Sequence, residues 1–127
     1  MEMKQVYRIP GGLFLKGAPV FIQEATMHQQ EDGKLFAKLC IENKDAERTI
    51  SHITVRFTPI AANGSVIGDG KIRQFENLQA APAAQFGAEE LTALPDDSCA
   101  FGAAVLKVSF TDGSAWEAES ELAWHVL

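Results

Sequence analysis

Hydrophobic residues recur at every second position over two stretches of the chain, residues 35–42 and 52–58. This is the period of a half-buried β-strand. Polar residues fill the alternate positions, and Phe36 is the one large apolar exception. The pattern predicts two strands, each with one face turned toward a core. The apolar residues of those two faces are Leu35, Ala37, Leu39, Ile41, Ile53, Val55 and Phe57.

Dipeptides of Asp or Asn followed by Gly separate the predicted strands. Asp32-Gly33 precedes the first alternating stretch, so we expect residues 21–27 to pair antiparallel with residues 35–41. Asn63-Gly64 follows the second stretch and predicts a two-residue hairpin turn, in which both residues adopt positive φ. Asp112-Gly113 predicts another hairpin near the end of the chain.

The last long strand is predicted at residues 99–110, where the alternation changes phase. Three apolar residues before position 106 share one face, and two after it share the other: Phe101, Ala103, Val105, Val108 and Phe110. One extra residue near Leu106-Lys107, a β-bulge, would bring all five to the core side.

Two proline residues mark places where regular structure should end. Pro59 has no N–H for a sheet ladder, which predicts a sheet edge or a bulge at that end of the second stretch. Pro95 would stop a short helix, and residues 89–94 are expected to form one helical turn before it.

Frequent turn signals and the lack of an amphipathic helical pattern predict an all-β chain. We expect an antiparallel, immunoglobulin-like β-sandwich of about 7–9 strands. A chain of 127 residues fits a single domain, residues 1–127, with one core. Residues 117–127 are expected to form either an edge strand or the stump of a linker.

The formal net charge is −6, and the basic residues are scattered singly, which argues against nucleic acid as a partner. No stretch approaches the roughly 18 uninterrupted apolar residues of a membrane span, so we expect no membrane insertion by this segment. The N-terminal residues lack the apolar region of a secretory signal. A cytoplasmic location is therefore expected, or an extracytoplasmic one if the chain belongs to a longer exported protein.

Residues that could carry catalysis are dispersed. His28, His52 and His125 are far apart, without the spacing of a zinc site, so no metal or other cofactor is expected. Cys40 falls in the outward register of its strand, so we expect it and Cys99 to be free thiols and not a disulfide joining the sheets. The sequence therefore predicts no catalytic residue and no enzyme activity.

Three central segments resemble the FxLYD-type and related immunoglobulin-like domains of Firmicutes bacteria. They are the strand end Ile41-Glu42-Asn43-Lys44, the strand from Ile50 to Phe57, and the hairpin from Ala61 to Gly68. Residues 7–12, 17–20 and 110–116 are also similar to segments of gut Firmicutes proteins. The resemblance implies a small antiparallel sandwich that is often an accessory module of a surface or envelope protein, and it brings no catalytic residues.

We therefore expect a non-catalytic interaction module that uses a sheet edge or face to contact a protein partner, or to form a homo-oligomer. The alternative is a small-ligand or carbohydrate-binding domain attached to a larger protein. The possible partner contacts are Trp124, Trp116 and Phe36. Trp116 is also expected to pack over one end of the core, whereas Trp124 lies in the tail, where a side chain is available to a partner.

Overall fold

The computed structural model describes residues 3–9, 12–15, 17–118 and 125–126. This part of the chain forms eleven strands and no helix. The strands in chain order are β1 (Met3–Arg8), β2 (Leu13–Phe14), β3 (Val20–Gln30), β4 (Leu35–Asn43), β5 (Ile50–Ile60), β6 (Lys71–Phe75), β7 (Gln85–Phe86), β8 (Thr92–Leu94), β9 (Ala100–Phe110), β10 (Ala115–Glu117) and β11 (His125–Val126).

The strands form two antiparallel sheets, which confirms the predicted all-β fold. Sheet A has the order β11-β2-β3-β4-β7, with β1 also paired to β3 and β8 also paired to β4. Sheet B has the order β10-β9-β5-β6. The described part of the chain has more strands than the expected 7–9, because two short strands, in place of one long one, pair with each outer side of the β3–β4 hairpin. β1 and β2 share the side of β3, and β7 and β8 share the side of β4.

The core lies between the alternating faces that the sequence predicts. β4 is buried at every second residue from Leu35 to Asn43, and β5 is buried at Ile53, Val55 and Phe57. The predicted pairing of β3 with β4 is also confirmed, with Ile22 opposite Ile41. Each fully buried aliphatic or aromatic side chain contributes roughly 1.5–3 kcal/mol through removal from water, so this shared interior is the main source of stability.

The phase change in β9 is caused by a β-bulge, as predicted. Thr54 and Val55 are adjacent in β5, but they pair with Lys107 and Val105, so Leu106 is the extra residue. The two apolar residues beyond the bulge are consequently buried with those before it, Val108 and Phe110. β3 contains a similar irregularity at Gln23, which explains why apolar residues occupy both sequence registers of that strand.

The three predicted hairpins form, but the two-residue turn expected at Asn63-Gly64 is wrong. Ala61 N donates to Ser65 O and Gly64 N donates to Ala61 O, both at 2.9 Å, which closes a three-residue loop. Gly64 has φ of 85°, and Asn63 is not among the described residues with positive φ. A three-residue loop with a bulge needs left-handed backbone only at its last residue. The Asp32-Gly33 and Asp112-Gly113 turns have the same hydrogen-bond pattern.

The helical turn expected at residues 89–94 is also wrong. Residues 92–94 are β8, which pairs with Leu35–Ala37 of β4. Thr92 and Leu94 are buried, and Ala93 between them is exposed. Alternation over three residues is too short to read from the sequence, and pairing with β4 supplies hydrogen bonds that one isolated helical turn would not.

Asn43, the last residue of β4, is almost fully buried and fully hydrogen-bonded. Its side-chain nitrogen donates to Arg48 O at 2.9 Å and to Ala80 O at 2.8 Å, and its side-chain oxygen accepts from Asp45 N at 2.9 Å. Its main-chain N–H donates to Ala84 O at 3.0 Å. One residue thus holds the loop from β4 to β5 and the connection from β6 to β7, both of which cross between the sheets.

We expect Asn43→Ala to lower the free energy of unfolding by about 2–4 kcal/mol, because it removes three hydrogen bonds to main-chain groups, one of them at the buried Ala80. Urea unfolding followed by circular dichroism measures the change. The control is Asn63→Ala, on an exposed hairpin, for which we expect a loss of less than about 1 kcal/mol. A loss at position 43 no larger than that of the control would contradict the role assigned to Asn43.

We expect deletion of Leu106 to abolish cooperative unfolding, because it would turn Val108 and Phe110 to the solvent face of β9. Leu106→Ala keeps the register and should cost only about 1 kcal/mol. Thermal unfolding of both variants distinguishes a requirement for the extra residue from a requirement for its side chain. A deletion variant that unfolds as cooperatively as the wild type would show that the bulge is dispensable.

Candidate functional site

The structure places the predicted contact residues on different surfaces. Phe36 is half-buried on the outer face of sheet A, opposite His28 in β3 and Ala93 in β8. Trp116 lies in β10, opposite the buried Val108, and packs against the core. Trp124 lies outside the described residues. Phe36 and Trp116 therefore do not form one contact surface.

β6, at the end of sheet B, is an open edge of the described part of the chain. Its orientation follows from two hydrogen bonds. Pro59 O accepts from Ile67 N at 2.9 Å on the β6 side, and Ile60 O accepts from Cys99 N at 2.7 Å on the β9 side. The N–H and C=O of one strand residue point to the same side, and successive residues alternate. The Pro59 nitrogen, which has no proton, therefore points to the β6 side, past the last β5–β6 pair at Phe57 and Lys71. Its missing N–H removes no hydrogen bond from the pairing with β9.

The same alternation assigns the two sides of β6. Phe57 faces β6 and pairs with Lys71, so Lys71, Arg73 and Phe75 exchange hydrogen bonds with β5. Ile72 and Gln74 then direct their main-chain N–H and C=O groups away from the sheet. Within the described part of the chain, β6 pairs with no second strand. The Ile72 side chain is 50% exposed beside these groups.

Two basic side chains of β6 cover the gap between the sheets. Arg73 Nη1 donates to Leu91 O at 2.9 Å and to Thr92 Oγ1 at 3.0 Å. Lys71 Nζ donates to Ala93 O at 3.4 Å. These bonds join β6 to β8 and leave positive charge along the open side of the sandwich.

A cavity of about 470 Å³ adjoins the first residue of β6. Its walls come from Pro59, the turn at residues 67–71, and residues 93–95 at the end of β8. Most of the lining is apolar and comes from Pro59, Ile67, Ala93, Leu94 and Pro95. This cavity could not be predicted from the sequence, because its walls come from three separate segments that only the fold brings together.

A second cavity, of about 360 Å³, is lined by Cys40, Leu78 and residues 85–90. Burial, and the nearby Glu24 carboxylate, raise the pKa of the Cys40 thiol. A thiol that stays protonated at neutral pH is a poor nucleophile and a poor metal ligand. Cys40 and Cys99 are both free.

The surroundings of His28 disfavour the charged form of its imidazole. Burial and the positive charge of Lys38 lower the pKa of its imidazole. Its Nε2 lies 2.9 Å from Thr26 Oγ1. Across residues 3–9, 12–15, 17–118 and 125–126, no group of three or more His, Cys, Asp or Glu side chains is placed to hold a metal ion. The same residues include no helix with the length and apolar character of a membrane span.

A charge pair with two hydrogen bonds, Arg48 and Asp45, lies at the end of the sandwich beside Asn43. Arg48 Nη2 and Nε donate to Asp45 Oδ2 at 2.8 and 3.0 Å, and Nη1 donates to Ser114 Oγ at 3.0 Å. The guanidinium also lies 3.9 Å from the centre of the Phe110 ring. These contacts tie the loop before β5 to the β9–β10 hairpin, so the pair is structural.

No protein-family model, curated protein or solved structure matches the chain. Function is therefore inferred from the geometry of the open edge and its cavity.

The Arg48 hydrogen bonds lower the pKa of Asp45 from 3.8 to about 2. Because the folded value is the lower one, the ionised carboxylate stabilises the fold above pH 3.8, and this contribution is lost as the pH falls toward 2. We expect Asp45→Asn to lower the urea midpoint of unfolding at neutral pH. The difference in midpoint from wild type should shrink as the pH falls from 3.8 toward 2. Glu47→Gln, an exposed carboxylate of the same loop, is the control. A difference in urea midpoint between wild type and Asp45→Asn that does not change with pH would contradict this assignment.

Proposed function

We propose that this protein is a non-catalytic interaction module of the immunoglobulin-like class, which binds an extended segment of another protein along the open edge of β6. The observation that carries the proposal is the orientation of Ile72 and Gln74, whose main-chain groups face away from β5 without a further strand in the described residues. Such groups hydrogen-bond readily to an added strand.

The cavity supports the same proposal because of where it opens. A strand added antiparallel to β6 would place alternate side chains on the inner face, next to Lys71 and Arg73. The position beside Lys71 adjoins the apolar walls formed by Ile67 and Leu94. An apolar side chain there would anchor the bound segment, and the main-chain hydrogen bonds would fix its direction.

The charges of β6 favour a foreign segment over a second copy of the chain. A twofold antiparallel pair centred on Arg73 would set two guanidinium groups opposite each other. Centring the pair on Ile72 would set Lys71 opposite Arg73, and centring it on Gln74 would set Ile72 opposite Glu76. Like charges directly opposite are destabilising, which disfavours the first two registers, and the third sets an apolar side chain opposite a carboxylate. Opposite charges stabilise cross-strand pairs. The preferred partner therefore carries acidic or neutral residues opposite Lys71 and Arg73.

A small apolar molecule is the second candidate ligand, and the cavity volume favours it. None of the lining residues is aromatic, so the cavity lacks the flat ring on which a sugar would stack. This favours an aliphatic ligand over a carbohydrate.

Selection of random linear peptides on phage tests the main proposal. We expect wild-type protein to enrich peptides that bind at least about tenfold more weakly to Ile72→Pro, which removes the outward N–H and places a ring on the edge. Proline is tolerated on an edge strand where its nitrogen faces solvent, so this variant should remain folded. Isothermal titration with synthetic peptides measures the affinities.

Ile72→Thr is the matched control, because it also reduces the apolar side chain at this position but keeps the N–H. We expect it to retain most of the affinity. Peptides that bind wild type and folded Ile72→Pro equally would contradict binding at the β6 edge. Small apolar compounds that stabilise wild type and Ile72→Pro alike, but not Ile67→Asp, would instead support the second candidate.

A further inference from the structure

The tip of the hairpin between β5 and β6 carries the sequence Asn63-Gly64-Ser65, and all three residues are exposed. An asparagine followed by glycine is the least hindered setting for attack of the next main-chain nitrogen on the side-chain amide. The geometry around this asparagine is unusual in one respect. Both hydrogen-bond donors of Ser65 converge on its side-chain oxygen.

Ser65 N donates to Asn63 Oδ1 at 3.0 Å, and Ser65 Oγ donates to the same oxygen at 2.6 Å. Two donors on one carbonyl oxygen draw electron density away from its carbon. They also stabilise the negative charge that the oxygen acquires when a nucleophile adds to that carbon. The loop thus supplies a small oxyanion site around the Asn63 carboxamide.

We propose that Asn63 is a site of spontaneous deamidation through a cyclic imide, and that Ser65 promotes the reaction. Solvent base removes the proton of Gly64 N, which is released from its hydrogen bond to Ala61 O when the loop opens. The nitrogen forms a bond to Asn63 Cγ, the Cγ–Nδ2 bond breaks, and ammonia leaves with a proton from water. Water then adds to either carbonyl of the ring and yields aspartate or isoaspartate.

The other two hairpins provide a natural comparison, because each has aspartate at the equivalent position. Ser114 N and Oγ both donate to Asp112 Oδ1, and these bonds lower the pKa of Asp112. The same donors that activate a neutral amide therefore keep this group as a carboxylate, which an amide nitrogen does not attack. At Asp32 the corresponding donor is Lys34 N, at 3.0 Å, and position 34 has no hydroxyl to add a second bond.

The two products should affect the hairpin differently. Aspartate fits the loop, as the hairpins at Asp32 and Asp112 demonstrate. Isoaspartate inserts an extra carbon into the main chain between residue 63 and Gly64. This lengthens the loop that is closed by the Ala61–Ser65 hydrogen bond, so the isoaspartate product should lose that bond.

The experiment follows the tryptic peptides 57–71, which contains Asn63, and 74–107, which contains Asn77, by mass spectrometry during incubation of the intact protein at neutral pH. We expect Asn63 to be converted before the exposed Asn77, which precedes a leucine. Ser65→Ala should lower the rate about threefold to tenfold, the effect of losing one hydrogen bond in water. Ser65→Thr, which restores the hydroxyl, should recover it. In denaturing urea the wild-type and Ser65→Ala rates should converge.

A second pair of variants tests deamidation in the other two hairpins. Asp112→Asn and Asp32→Asn each create an Asn-Gly pair in the same type of loop, with a serine donor only in the first. We expect Asp112→Asn to react about threefold to tenfold faster than Asp32→Asn. Equal rates for these two variants, equal rates for wild type and folded Ser65→Ala, or a Ser65 effect that persists in urea would each overturn the role of Ser65. Conversion of Asn77 before Asn63 would overturn the site itself.

Discussion

The buried side chain of Asn43 holds two segments that cross from one sheet to the other. They are the loop from β4 to β5 and the connection from β6 to β7. A strand that leaves its sheet loses its ladder partners, and the polar main-chain groups of the crossing segment must find others. Asn43 supplies three of them from its carboxamide, at 2.8–2.9 Å. These two crossings help to hold the two sheets face to face, with the core between them.

The edges of the two sheets are protected in different ways. In sheet A, β3 and β4 are each flanked by two further strands, whereas the edge strand β6 of sheet B carries the inward-directed side chains of Lys71 and Arg73. Inward charges on an edge strand disfavour pairing between identical copies. These inward charges and the two outward-facing peptide groups are the features on which the proposed binding of an extended segment rests.

The features that depend on the local hydrophobic period could be predicted from the sequence. The features formed where distant segments meet could not. Alternation located the buried faces of β4 and β5, and the phase change located the bulge at Leu106. The turn type at Asn63-Gly64 was wrong because the dipeptide is compatible with two loop lengths. Residues 92–94 were assigned to a helical turn because their partner residues in β4 lie 55 to 59 positions earlier in the chain. The cavity beside β6 was missed for a related reason, since its walls come from three separate segments.

The pairing of β5 with β9 also has a consequence for how the chain is made. Ile50 pairs with Phe110 and Ile60 with Ala100, so the central contact of sheet B joins segments distant in the chain, whereas β3 and β4 are neighbours. During synthesis from the N-terminus the β3–β4 and β5–β6 hairpins can form early, but the other side of β5 stays unpaired until β9 has left the ribosome. Until then sheet B is incomplete and β5 has an open edge, and that interval is when this chain is most exposed to aggregation.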